Sequence, residues 1–227
     1  MWFDQTYFLI IIGALLSMAA SSYVQSTFAK YSEIQNEKGL TGDDVARLIL
    51  NDADIHDVQV RRMQGSLTDN YNPREKMLNL SESVGPSTSV AAIGVAAHEC
   101  GHAIQDDVAF FPLNMRNFLA PVVNISANLS IPLILGGFFF SIGSLVNIGI
   151  LCFGLVLLFQ LVTLPVELDA SNRAIKILRA NGMLTEDELG IVKKVLTAAA
   201  LTYIASALAT FLQFYRLILL FGNRRDD

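Results

Sequence analysis

Charge is scarce in this sequence. Asp, Glu, Lys and Arg make up only 16% of its 227 residues, against 52% hydrophobic, which is too apolar for an ordinary soluble domain. The formal net charge of -5 is mild and the basic residues form no dense run, so nucleic acid is excluded as a partner. Cysteine is nearly absent as well. Cys100 lies inside a histidine motif and Cys152 inside a long apolar run, and no disulfide framework follows from such a pair. There is no internal repeat and no low-complexity tract.

What the chain does have is long hydrophobic runs. About 20 helical residues cross a bilayer core, and four stretches are long enough: Tyr7 to about Gln25, Phe118 to about Phe140, Leu145 to about Pro165, and Leu196 to about Phe221. The first ends in small residues, as a secretory signal does, but the only charge before it is Asp4 and three more runs follow. It therefore reads as an uncleaved span. Four spans leave polar chain on two sides, and the side with most Lys and Arg is expected to be cytoplasmic. Residues 26–117 and 166–195 together carry 13 of the 16 basic residues; the N-terminus, a short turn near Ser144 and a tail with Arg216, Arg224 and Arg225 carry the rest. Both termini are therefore expected outside.

The polar segments have readable local structure. Thr41 with Asp44 three residues later has capping-box spacing, and Val45, Leu48 and Ile49 would then share a helical face. Val58 and Val60 alternate with polar neighbours, and Leu78 and Leu80 alternate with Met77, Asn79 and Ser81. This predicts short strands joined by turns at Gln64-Gly65 and Asn72-Pro73. From Ser87 or Thr88 an Ala-rich helix is expected, too short in its apolar part to span a membrane. "FFPLNMRNFLAP" reads as a junction at the bilayer surface. Residues 166–195 read as two helices around Asn181-Gly182, the first continuing the third span and the second capped by Thr185 with Glu188.

The Ala-rich helix carries the chemistry, in "AAHECGH". Residues four apart lie on one helical face, so His98 and His102 can offer nitrogens to one metal ion. Glu99 follows the first histidine, where its carboxylate can reach a water on that ion. A zinc hydrolase needs this arrangement: the ion lowers the water's pKa and polarises the scissile carbonyl, and the glutamate moves the proton. Gly94 and Gly101 each cost about 1 kcal/mol in a helix interior, and close approach of another element would justify them.

Catalytic zinc wants a third protein ligand and an open position. His56 is the one histidine left, and the extended pattern HExxHxxGxxH fails, with Gln105 at the glycine and Val108 at the third histidine. A carboxylate should serve. Glu167, at the cytoplasmic end of the third span, is the best candidate; Asp169 is a nearby rival, while Asp106 and Asp107 turn away from the His98/His102 face. Ser171, one turn after Glu167, could hydrogen-bond a ligand.

"GSLTDNYNPREKMLNLSESV", "SVAAIGVAAHECGHAIQD" and "LPVELDASNRA", with the four-span layout, resemble the YugP-type family of bacterial membrane-bound neutral zinc metallopeptidases, which is gluzincin-like. The resemblance covers most of the chain. It implies one Zn2+ per chain on His98, His102 and Glu167, with Glu99 as general base, and a bacterial cell membrane location. The family pattern Asp-His-Tyr-Asp-Pro is here Asp69-Asn70-Tyr71-Asn72-Pro73. If the family histidine helps hold substrate or an oxyanion, Asn70 can donate a hydrogen bond but carry no charge. Asn70 and Tyr71 are candidates for that role, and an ordinary turn is the competing reading.

The expected fold is α+β, mainly α: a four-span membrane protein with a small zincin-like metallopeptidase domain on the cytoplasmic side. The expected organisation is a transmembrane helix at 1–25, a cytoplasmic region with the HExxH helix at 26–117, two transmembrane helices at 118–165, a cytoplasmic helical segment with the third ligand at 166–195, and a last transmembrane helix with a short tail at 196–227. The expected function is cleavage of peptides or membrane-protein loops, an extended substrate pairing with either Val58 to Val60 or Lys76 to Ser81. Competing readings are proteolysis inside the membrane and a zinc-stabilised membrane scaffold without activity, against which Glu99 speaks. Gly136, Gly137, Gly143, Gly149 and Gly154 offer surfaces for close helix packing, within one chain or in a homo-oligomer or with membrane partner proteins.

Overall fold

The computed structural model describes residues 6–221; Asp4, used in reading the first span, and Arg224 and Arg225, which entered the topology count, lie outside them. The element order is α1 (Tyr7–Ser32), α2 (Gly42–Asp52), β1 (Gln59–Met63), β2 (Asn70–Asn72), β3 (Met77–Ser81), α3 (Val90–Asp107), α4 (Phe111–Phe139), α5 (Gly143–Ala180) and α6 (Glu186–Phe221). The protein is mainly helical with one small sheet. Four helices, α1, α4, α5 and α6, are long and apolar enough to cross a membrane.

The chain divides into two compact units. One contains Met1–Ser21, Asn114–Leu164 and Leu201–Asp227. Its helices turn large apolar side chains outward, with Phe118 and Phe139 each 77% exposed, a surface suited to lipid and costly in water. Glycines set the helix spacing inside this unit. A Cβ on Gly137 would lie 2.7 Å from the Val146 nitrogen, and one on Gly149 would lie 2.8 Å from the Ser130 oxygen. These glycines are used within the chain. The turn between α4 and α5 comes at 140–142, so Ser144 belongs to α5. Arg216, expected in a tail, sits inside α6 instead, buried, with its Nε donating to Thr6 Oγ1 at 3.1 Å and its guanidinium over the Tyr7 ring.

The other unit contains Ser22–Leu113 and Pro165–Ala200. Its core packs Val45, Ala46 and Ile49 of α2, Leu78 and Leu80 of β3, Ile93, Ala96 and Ala97 of α3, Ala174 and Leu178 of α5, and Leu189 and Val192 of α6. Each large aliphatic side chain so buried contributes about 1.5–3 kcal/mol. Leu48, expected on the same face of α2, is exposed; Ala46 and Leu50 complete the buried stripe instead.

The sheet order is β1-β3-β2, with β1 parallel and β2 antiparallel to β3. Residues 77–81 are therefore central, which removes Lys76 to Ser81 as a free edge. The edges are β1 and β2, and α3 packs against β2 and β3. Within "FFPLNMRNFLAP", α4 begins at Phe111 and runs unbroken through the rest of the stretch. The helix after Thr185 likewise runs on into the fourth apolar stretch as α6, its first turn closed by Glu188 accepting from the Thr185 backbone at 2.8 Å.

Helix α2 starts with the full capping box, Thr41 accepting from the Asp44 N–H and Asp44 from the Thr41 N–H. The Gly42 and Asp43 N–H groups go to the Ser87 and Gly85 carbonyls, so all of the first donors are paired. Thr41→Ala removes one of these partners and is expected to destabilise by about 1 kcal/mol, seen as a lower thermal midpoint in detergent. An unchanged midpoint would mean that the backbone bonds to 85 and 87 hold the helix start alone.

Candidate metal centre

Helix α3 opens at a Ser89 N-cap whose side chain accepts from the Ala92 N–H at 3.2 Å. Farther along, His98 and His102 stand one turn apart on the same face, their rings edge-on with centroids 4.8 Å apart. Opposite them runs α5. What lets α5 come close is Gly101, where a Cβ would lie 2.6 Å from the Ala170 carbonyl oxygen. Gly94 does the same toward α6, a Cβ there meeting Val192 Cγ1 at 3.0 Å. Both glycines thus have the close neighbours their cost in a helix requires.

The contact brings Glu167 to the histidines. Its Oε2 lies 3.3 Å from His98 Nε2 and 3.6 Å from His102 Nε2. Among the described residues, His98, His102 and Glu167 form a group whose donor atoms all lie within 4.8 Å of one another. Two imidazole nitrogens and a carboxylate oxygen are a donor set that suits zinc. Bonds of about 2.0–2.1 Å to a tetrahedral ion put neighbouring donors about 3.3 Å apart, close to the 3.3 and 3.6 Å between Glu167 and the two histidines. The residues fit the ion.

The far nitrogens of both rings are also engaged. His98 Nδ1 lies 3.1 Å from Ser171 Oγ, the contact expected one turn after Glu167. His102 Nδ1 lies 3.0 Å from Gln105 Oε1. Gln105, fully buried, donates through Nε2 to the Val166 carbonyl at 2.8 Å and to Asp169 Oδ2 at 2.9 Å. Asp169, the rival third ligand, is thereby bound to Gln105 and to Arg173 Nε at 2.5 Å. Sequence reasoning passed over Gln105, seeing in it only the failure of a longer pattern. The available signal was its place three residues after His102, on the same helical face.

Glu99 is buried, and burial pushes its carboxyl above the ordinary carboxylate range while His98 and His102 pull it back. Burial also raises the Cys100 thiol; fully enclosed, with Sγ 3.7 Å from the Ala46 carbonyl, it has the setting of an inert structural cysteine. His56 is exposed and paired with Asp54. Tyr71 donates to Asp106 at 2.8 Å, an acceptor it shares with Lys76. Asn70 donates to the Thr68 carbonyl and accepts from Asn79 within the sheet. Residues 70–72 thus form a strand that was not expected, the expected turn at Asn72-Pro73 follows it at 73–76, and the Asn70 side chain serves the sheet edge.

With four helices apolar enough to cross a membrane and a His98, His102 and Glu167 group able to hold a metal ion, the chain belongs to the family described as "Putative neutral zinc metallopeptidase", whose pattern matches residues 6–222. It is similar to the "Putative membrane protease YugP" of Bacillus subtilis (strain 168), 41% identical over 220 residues that cover 97% of this chain and 98% of that protein. No solved structure matches it.

The Gly101 contact gives a direct test. In Gly101→Ala the new methyl collides with the Ala170 carbonyl, a backbone atom that yields only if α5 moves, and overpacking of this kind costs about 1–3 kcal/mol. Zinc content by mass spectrometry is expected to fall together with the thermal midpoint. Gly190→Ala, which meets nothing within 4 Å, should keep full zinc and raise the midpoint slightly through helix propensity; full zinc in Gly101→Ala would show that helix spacing does not control the site.

Proposed function

We propose that the protein is a zinc-dependent membrane metallopeptidase that hydrolyses peptide bonds at or near the cytoplasmic membrane face. The observation that carries this is the convergence of His98, His102 and Glu167 within 4.8 Å, with Glu99 buried next in sequence to the first histidine. Zinc, one ion per chain, would supply Lewis-acid chemistry, polarising the scissile carbonyl and acidifying the attacking water. His98, His102 and Glu167 would hold it. Glu99 is the general base: it takes a proton from the water as the oxygen adds to the carbonyl carbon, then returns the proton to the amine as the C–N bond breaks.

The substrate is a peptide or a loop of a membrane protein. Strand β2 supports this, as the sheet edge next to α3, since an extended chain can add to such an edge through backbone groups alone. The cytoplasmic orientation rests on the basic residues, 13 of 16 falling in residues 26–117 and 166–195. These two stretches would form the peptidase region. The transmembrane part would then be 1–25, 118–165 and 196–227, in the bacterial cell membrane.

Zinc content and cleavage of a quenched peptide library in nanodiscs test the mechanism. Wild type should bind one zinc and cleave; Glu99→Gln should keep the metal and lose at least about 100-fold in rate; Glu167→Ala should lose the metal. Zinc without cleavage in wild type would favour the inactive scaffold, and no zinc would remove the proposal. Orientation has its own test. A cysteine placed at the exposed Asn51 should escape a membrane-impermeant maleimide in intact cells and react after lysis; labelling in intact cells would invert the topology.

A further inference from the structure

We infer that Gln105 is a positioning residue that fixes the hydrogen of His102 on Nδ1 and ties that imidazole to the turn of α5 carrying Glu167. The inference rests on the zinc reading of the site. One side chain would then set two of the three proposed ligands.

The logic follows from what each atom can do. The Val166 carbonyl can only accept a hydrogen bond, so the Gln105 group 2.8 Å from it must be the NH2. The other end of the amide, the oxygen, then faces His102 Nδ1 at 3.0 Å. An amide oxygen only accepts, so the hydrogen must sit on Nδ1. That leaves Nε2, on the side of Glu167, as the nitrogen through which His102 would hold a metal. The amide cannot turn over without setting NH2 against N–H and oxygen against oxygen.

Burial makes this restraint hard to replace. Gln105 is 0% exposed, and two of its partners, His102 and the Val166 carbonyl, are buried with it, so leaving those two orphaned in the interior is unfavourable. The second amide hydrogen goes to Asp169, which Arg173 holds in place at 2.5 Å, the guanidinium itself lying over the Phe110 ring. Val166 immediately precedes Glu167. The amide therefore spans from the His102 ring on α3 to the backbone beside the third ligand on α5, a strut across the helix contact that Gly101 allows. Glutamate could not replace it: a carboxylate would meet His102 acceptably but would turn a second acceptor toward the Val166 carbonyl and the Asp169 carboxylate. Glutamine alone among side chains of this length accepts at one tip and donates two hydrogens at the other.

The test uses the full chain in detergent. Zinc affinity is measured by competition with a chelating dye for wild type, Gln105→Leu and Gln105→Glu, and the histidine tautomers of the metal-free proteins are read by 15N NMR. Wild-type His102 should carry a hydrogen on Nδ1. Gln105→Leu should weaken zinc by about 10–100-fold and release the tautomer to a mixture, and Gln105→Glu should weaken zinc too despite its matching shape. A packing role alone would lower the thermal midpoint and leave the tautomer unmoved. Wild-type zinc affinity in Gln105→Leu, or an Nε2–H tautomer in wild-type His102, would overturn the inference, and the second result needs no variant to fold. Absence of zinc from wild type, with the tautomer still shifting in Gln105→Leu, would overturn the zinc reading and uphold the role of Gln105.

Discussion

The candidate centre depends on one close approach, that of the α5 backbone to α3 at Gly101. A side chain there would stand 2.6 Å from the Ala170 carbonyl, and side chains between two helices normally hold their axes about 8–10 Å apart. Small residues line the seam on the α5 side as well, with Ala170 and Ala174 fully buried. Glu167 lies about one turn before Ala170 along the same helix, and a carboxylate reaches no farther than its short stem allows. Remove the close approach and no ligand on α5 can meet Nε2 atoms held on α3.

Electrostatics explains why such a group is stable only as a set. A carboxylate withdrawn from water carries a desolvation penalty of several kcal/mol unless it is paired and hydrogen-bonded. Glu167 is buried but faces two imidazole nitrogens. Behind the imidazoles, Ser171 and Gln105 occupy the Nδ1 positions, so neither ring is free to rotate and offer its other nitrogen. Burial acts on Glu99 in the same sense, but there the histidines offset it only through their charge and not through hydrogen bonds, so its carboxyl stays above the ordinary range while that of Glu167 is held below it. Two carboxyl groups on adjacent helices are thus held differently by what surrounds them.

Much of this was legible from the chain because the features are local or carry a fixed period. The HExxH spacing, the capping boxes at Thr41 and Thr185, the continuation of the third apolar stretch beyond Pro165, and the unusual glycines at 94 and 101 all need only the helical repeat to be read. Glu167 was found because a carboxylate at the end of an apolar run is costly without a use. Strand β2 was not legible: three residues with two asparagines, ending before Pro73, look like a turn, and only pairing with β3 makes them a strand. Strand order was equally out of reach, since no local pattern reveals that β3 lies between β1 and β2. Arg216 looked like tail charge because its partner Thr6 lies 210 residues away, with Tyr7 beside it.

The sheet's arrangement has a consequence for how an extended chain could bind. A central strand has both rows of backbone groups paired, so β3 offers nothing to a substrate, and the choice lies between β1 and β2. Of the two, β2 is the edge packed against α3. It is also tied there, since Tyr71 on β2 and Lys76 just before β3 both bond Asp106 on the HExxH helix. Burial and, after it, pairing with Asp106 push the Tyr71 hydroxyl toward its neutral form, and the same carboxylate keeps Lys76 charged. The bonds that would align a peptide edge with the metal centre therefore persist across neutral pH. A three-residue edge reads few side chains, so selectivity would have to come from access and from the residues around the cleaved bond more than from a long run of strand pairing.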